Sequence, residues 1–305
     1  MPTTTTPPQG RLHRLWEWLV ERLIQIAGIL GIVFVVLILL FLVRDALPLL
    51  KQGELGQTLT GTRWSPTAEP PRFGLLPLVL GSLYVTAGAL LIAVPLGLAC
   101  SVFISEVAPE WLRETLKPTV ELLAAIPSVV FGFMGLLLVG PWLQQLLHLP
   151  VGQFAALGAL ILAFMALPTI VSVAEDALRA VPRALRENSL ALGGTRWQTI
   201  CRVTVPAARS GIIAGMLLGL GRAIGETMTV LMVTGNAPVI PQALLGFLKP
   251  VRTMTATIAA EMGETAYQTP HYHALFMIGL LLFLITLLIS VVSDVVIRRM
   301  PGVRT

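Results

Sequence analysis

The chain has 305 residues, 55% of them hydrophobic and 12% charged, with a formal net charge of +5 at pH 7 and a mean hydropathy of +0.82. Soluble domains carry about 25% charged residues, so this composition excludes an ordinary globular protein. Uncharged runs at 23–43, 73–105, 122–174 and 265–293 each match or exceed the roughly 20 residues that cross a hydrocarbon core; the fold class they predict is an all-α integral membrane protein.

The Thr- and Pro-rich tail 1–10 lacks apolar residues to bury and reads as disordered. From Arg11 to Leu23, apolar Leu12, Leu15, Trp16, Leu19, Val20 and Leu23 recur at helical spacing among Arg11, Arg14, Glu17, Glu21 and Arg22. That pattern fits a helix lying in the membrane surface, so 1–23 reads as a tail and interfacial helix. A first span follows at 24–43. It is too long for a secretory signal and has no small-residue cleavage site after it, which predicts a retained helix. Five more spans are expected at 75–104, 119–147, 153–173, 210–235 and 273–297. The run 122–174 is too long for one span and divides near Leu149-Pro150-Val151-Gly152.

Six spans place both termini on one side. Fourteen Lys/Arg residues fall on that side, six fall on the other, and Arg222 lies within a span. The positive-inside rule then makes both termini cytoplasmic, which explains the basic charge without nucleic acid. Cys100 lies in an apolar run and Cys201 in a basic loop, a spacing that supports neither a disulfide nor a metal site.

The loop 174–206 is more structured than a connection needs to be. Pro182 can open a helix that Gly193 or Gly194 closes; Thr195-Arg196-Trp197-Gln198 then fits a capping box, and Pro206 stops the second helix. Two capped helices suggest a docking surface, against the plainer reading of a basic loop that sets orientation. Glu187-Asn188-Ser189, Gly193 and Val203-x-Val205-Pro206 resemble the EAA loop of ABC-importer permeases, with Asn and Ser in place of its alanines. The resemblance implies that Glu187, Gly193 and Pro206, with Arg183 and Arg186 beside them, couple the chain to an ATP-binding subunit.

Arg222 lies 12 residues beyond Ser210, about 18 Å along a helix and near the bilayer centre. An Arg there costs about 2.5–3.5 kcal/mol on insertion scales. On an unbroken helix Gly211, Gly215 and Gly219 form a close-packing face, and Arg222, Glu226 and Thr229 fall on the same side. The pair Arg222/Glu226 reads either as an i,i+4 salt bridge or as part of an anion path in which Arg222 attracts the ion. Pro95, Pro127 and Pro168 interrupt spans, as kinks for motion or as tolerated breaks. Glu261 and Glu264 read as solvated loop acids. His271 and His273, two apart, fall on different helix faces and do not suggest a metal site. Trp111 and Trp142 read as interfacial anchors.

Gly219-Leu220-Gly221-Arg222-Ala223-Ile224-Gly225-Glu226-Thr227-Met228, ending in Gly235-Asn236, resembles the matching helix of PstC-type permeases of phosphate ABC importers; so do the segments 121–130 and 179–183. The resemblance covers roughly 73–300 and implies a MetI-like core of five spans there. The PstA-type sister shares the Arg-Ala-x-Gly-Glu-Thr core; the Met228 and Gly235-Asn236 continuation favours the PstC side. It implies a PstA-type permease, PstB-type ATP-binding subunits and a PstS-type phosphate-binding protein as partners, a bacterial inner-membrane location, and Arg222 and Glu226 in the phosphate path. No Walker A, His-Glu-x-x-His or Gly-x-Ser-x-Gly sequence is present, so an enzyme is not expected, and ATP belongs to the partners. Permeases for molybdate, sulfate or phosphonate, and a self-sufficient carrier, are the alternatives.

Overall fold

The computed structural model describes residues 11–51, 55–242 and 244–299. The 1–10 tail expected to be disordered lies outside them. Helix α1 (Arg11–Lys51) is continuous for 41 residues, about 60 Å at ~1.5 Å per residue. No break appears near residues 23 and 24, where the sequence suggested a change from a surface-lying helix to a span. The reason is local: no proline interrupts it before Pro48, and its Leu-, Ile- and Arg-rich stretches favour helix. Most of α1 is exposed, while Ala46 and Leu49 near its end are buried against α14 (Pro270–Arg299).

After α2 (Leu55–Thr60) comes a short antiparallel hairpin, β1 (Trp64–Ser65) and β2 (Arg72–Phe73), in which Trp64 faces Phe73 and Ser65 faces Arg72. Helix α3 (Leu76–Val102) continues through a π-helical turn, giving an apolar stretch of 32 residues at Leu76–Val107. The expected span 119–147 is interrupted. Amphipathic α4 (Glu110–Ala125) buries none of its residues and ends at Ile126, with φ −65° and ψ 128°. Pro127 is the cause: a residue before proline is pushed out of the α region. The membrane-length part is therefore Ser128–Leu146, built from α5 (Ser128–Met134), a π-helical turn and α6 (Gly140–Leu146).

The predicted division near 149–152 is a connection, and α7 (Ala155–Arg179) follows as the most buried span. The chain then makes α8 (Arg183–Ala191), α9 (Arg196–Thr199), a π-helical turn at 200–204, α10 (Val205–Ala207), α11 (Arg209–Gly225), α12 (Met228–Val233), α13 (Met254–Glu261) and α14. Pro206 sits in the first turn of α10, where it needs no N–H partner. The helix therefore runs past it to Ala207, and the axis bends by 68° before α11. Among the described residues five helices are long and apolar enough to span, or six if that bent pair is counted as one span.

Packing centres on α3, α7 and α11. Small side chains let them approach: Ala89, Ala93, Ala159, Ala163 and Ala166 are buried in one cluster with Ile170. Along α11 a Cβ at Gly211 would collide with Ala177, one at Gly215 would lie 3.2 Å from the Ile170 carbonyl, and one at Gly219 would lie 2.6 Å from the Ile170 side chain. The three glycines thus face α7, where van der Waals contact replaces the hydrophobic drive that lipid cannot supply.

Candidate substrate path

Span 210–235 does not continue as one helix. Helix α11 stops at Gly225, and Glu226 is extended, with φ −69° and ψ 132°. Glu226 Oε1 accepts a hydrogen bond from the Thr229 backbone N–H at 3.1 Å, which satisfies one of the free donors at the start of α12. The carboxylate is thereby used as a cap, and the wheel that placed Arg222, Glu226 and Thr229 on one unbroken face does not apply. Nor is the i,i+4 salt bridge formed: no ion pair joins Arg222 to Glu226 among the described residues.

Arg222 turns toward the other break instead. Its guanidinium donates to Thr169 Oγ1 of α7 at 3.3 Å and to the carbonyl of Ala124, at the end of α4, at 3.4 Å. Both acceptors are neutral and both distances are long, and three of the five N–H donors of a guanidinium make no hydrogen bond here. Thr229 completes the junction: its hydroxyl donates to the Ser128 carbonyl at 3.0 Å and lies 3.2 Å from Met165 Sδ. Two interrupted helices, α4/α5 and α11/α12, therefore meet break to break. Discontinuous helices are the usual way to present backbone groups and a charge to an ion inside a bilayer. On the far side of Glu226, a small cavity is lined by Ser82, Thr86, Thr253 and Thr255, and Thr255 donates to the Glu226 carbonyl at 2.8 Å.

The middle of α4 is held by charge. Lys117 Nζ lies 2.7 Å from Glu175 Oε2 and 2.6 Å from Asp176 Oδ1, and Glu175 is buried. Hydrogen bonds to Asp176 and then Glu175 push the Lys117 pKa up. Arg113 donates to the carbonyls of Ile104 and Ser105 at 2.8 and 2.7 Å, tying the start of α4 to the end of α3.

Arg183 and Glu187 are exposed on α8, with Leu192 and Trp197 beside them at 90% and 65% exposure. Gly193 has φ +84°, the left-handed conformation that closes a helix and favours glycine. The capping box is complete, with Gln198 N–H to Thr195 Oγ1 at 3.2 Å and Thr195 N–H to Gln198 Oε1 at 2.9 Å. Ser189, in place of a motif alanine, sits 2.9 Å from the Thr199 hydroxyl and links α8 to α9. Arg186 is placed differently from its neighbours. It pairs with Glu106 at 2.9 Å and donates to the Leu178 carbonyl at 2.7 Å, so it anchors the loop to α3 and α7.

Two loop residues also depart from expectation. Glu261 is not solvated: it binds Arg252 at 2.9 Å, His271 at 2.7 Å and the Trp64 indole N–H at 3.2 Å. A carboxylate can accept several donors, and these three close around it. Glu264 is exposed. His273 turns to the Asp45 carbonyl at 2.7 Å, away from His271. Trp111 and Trp142 are both exposed. Sequence reasoning missed Thr169, Thr255, Lys117 and Glu175; the one available signal was a Glu closing the uncharged run at 174.

Residues 93–301 match the family model of the binding-protein-dependent transport system inner membrane component. A Bacillus subtilis (strain 168) protein named probable ABC transporter permease protein YqgH is 42% identical over 240 residues, covering 77% of each chain. The phosphate transport system permease protein PstC of Mesorhizobium japonicum is 38% identical over 263 residues, covering 80% of this chain and 79% of its own. Among solved structures, a chain of the inward-facing MetNI methionine ABC transporter matches with a TM-score of 0.59 at 21% identity, over 76% of this chain and 98% of its own. A chain of a bacterial ABC transporter that imports alginate matches with a TM-score of 0.58 at 18% identity, over 95% and 100%. These two likenesses show a shared fold.

Proposed function

The chain belongs to the family of binding-protein-dependent transport system inner membrane components, and from that premise we propose that it carries inorganic phosphate into the cytoplasm. It is a multi-pass permease subunit of an ABC importer, similar over most of its length to PstC proteins. ATP is hydrolysed on partner subunits, and a binding protein supplies the substrate. In our reading the partners are PstB-type ATPases, a PstS-type binding protein and a PstA-type sister permease that forms the other wall of the path. Both termini face the cytoplasm, so α8–α10 lie inside and the hairpin outside.

The observation that carries this reading is Arg222, a cation at the meeting of two helix breaks, held by two long bonds to neutral acceptors. A phosphate oxygen is a stronger acceptor for a guanidinium than a hydroxyl or a carbonyl, and it engages donors that now have no bond. Closure of the ATPase dimer moves α8 and α9 through Arg183, Glu187, Leu192 and Trp197. Arg186 transmits the movement to α3 and α7, and Lys117 carries α4 along. Because the far end of α4 holds the Ala124 carbonyl, shifting α4 changes how freely Arg222 meets the ion. Binding stays modest, as conduction requires.

The test is radiolabelled phosphate uptake by the reconstituted four-component complex, wild type against Arg222→Gln at equal assembly. Uptake lost with ATPase activity intact supports the assignment. Unchanged uptake reduces Arg222 to a structural ion. ATPase activity without phosphate uptake in the wild type sinks phosphate as substrate and turns the search to molybdate, sulfate or phosphonate.

A further inference from the structure

The hairpin end carries a cavity that the transport path does not use. In the hairpin Trp64 faces Phe73, Ser65 faces Arg72, and the Gly74 N–H donates to the Arg63 carbonyl at 2.9 Å. Side chains alternate across a strand, so Trp64 and Phe73 share one face and Arg63, Arg72 and Gly74 share the other. The first face is filled: Trp64 is buried, with its ring centroid 6.0 Å from that of Phe73. On the second, Arg63 and Arg72 are diagonal cross-strand neighbours, about 7–8 Å apart at the backbone, and Gly74 opposite Arg63 packs on the Gly61 backbone, where a Cβ would come within 2.5 Å. They line a cavity of about 710 Å³ together with Gln57, Thr58, Thr60 and Thr62.

Two observations point to an anion. Both arginines are exposed, and neither has an ion pair or side-chain hydrogen bond among the described residues. Among the described residues no carboxylate belongs to the lining, so the two like charges there face one space without a counter-charge, an arrangement that an anion relieves. The remaining wall includes Leu49 and Pro270, the last residue of one candidate span and the first of another. The cavity thus lies where two candidate spans end.

We propose that this cavity binds a phosphate group through Arg63 and Arg72, carried by an anionic phospholipid or by free orthophosphate. The proposal does not depend on which ion is transported. Two guanidinium groups suit tetrahedral oxyanions, and the Thr58 and Thr62 hydroxyls can add neutral donors, the Thr60 hydroxyl being already used on the Gly56 carbonyl.

The experiment uses the full chain assembled with its partner subunits in nanodiscs. Native mass spectrometry after a phosphatidylcholine exchange should find phosphatidylglycerol retained by wild type and at least roughly tenfold less by R63Q/R72Q, with R63K/R72K retaining most of it. That result assigns the lipid source. Orthophosphate binding in phosphatidylcholine discs that survives Arg222→Gln but is lost in R63Q/R72Q assigns the free ion. Equal retention of lipid and of orthophosphate by wild type and R63Q/R72Q overturns the proposal. So does a variant that loses only its association with the binding protein, because the face is then a protein contact. Both arginines are exposed, so the substitutions remove no buried contact.

Discussion

The middle of α4 and its far end meet cations in opposite ways. At mid-helix, Lys117 meets two carboxylates at 2.7 and 2.6 Å, and Arg186 on the 174–206 loop meets Glu106 at 2.9 Å. At the far end, Arg222 reaches a hydroxyl and a carbonyl at 3.3 and 3.4 Å, and the carboxylate four residues away caps another helix. A charge that only builds structure is matched by an opposite charge at short range. A charge that must meet a passing ion is better left with weak, neutral partners, because a built-in counter-ion would have to be displaced at every turnover. On the proposed assignment of Arg222, the pairing state of a cation therefore separates scaffold from path more sharply than its depth in the membrane does.

The strongest challenge to that comparison is Lys117→Met. It leaves buried Glu175 short of its nearest counter-charge, and breaking such a pair costs about 3 kcal/mol. Unfolding titration in detergent should show this loss, which Met cannot offset by packing alone. A loss near zero would mean that the pair is ornamental. The sign with pH follows from the raised Lys117 pKa: its contribution is fully present below the ordinary lysine value and disappears as pH rises through the raised one. Stability should thus fall at strongly alkaline pH in wild type and show no such step in Lys117→Met. Next in size is Gly211→Leu, which overpacks α11 against Ala177 and should cost about 2 kcal/mol. Arg222→Gln should cost under about 1 kcal/mol in the same titration, since it gives up two long bonds, while removing uptake. If its stability loss matched that of Lys117→Met, the distinction drawn between the two sites would collapse. The smallest effect is Ser189→Ala, about 0.5 kcal/mol or slightly more from one hydroxyl pair, read as a lower midpoint with the α8–α9 exposed surface unchanged.

Much of the architecture was legible because lipid imposes a length rule. Uncharged runs ending at charges located most spans, and Pro150 with Gly152 marked the division of the longest run. The capping box was legible for the same kind of local reason, since Thr195 and Gln198 need only each other. The breaks were harder. Pro127 announced one, yet the apolar pattern on both sides of Glu226 continues as if the helix did, and only the carboxylate's use as a cap reveals the interruption. The partners of Arg222 and Lys117 come from other helices: Thr169 and Ala124 for the first, Glu175 and Asp176 for the second. No periodicity within one helix can supply such pairs. Glu261 was misread for a related reason: a loop acid reads as solvated until Arg252, His271 and Trp64 arrive from three other parts of the chain.

The glycine face of α11 has a consequence for motion. With Gly211, Gly215 and Gly219 pressed on Ala177 and Ile170, neither α7 nor α11 can slide or roll on the other without driving a side chain into backbone. They must travel as one rigid body, and any change of access has to be absorbed where the helices are already interrupted, at Ala208, at Ile126-Pro127 and at Glu226-Thr227. Two of those breaks, at Ile126-Pro127 and Glu226-Thr227, lie beside Arg222, so in the proposed transport cycle a change in conformation there and a change in grip on the ion are a single event.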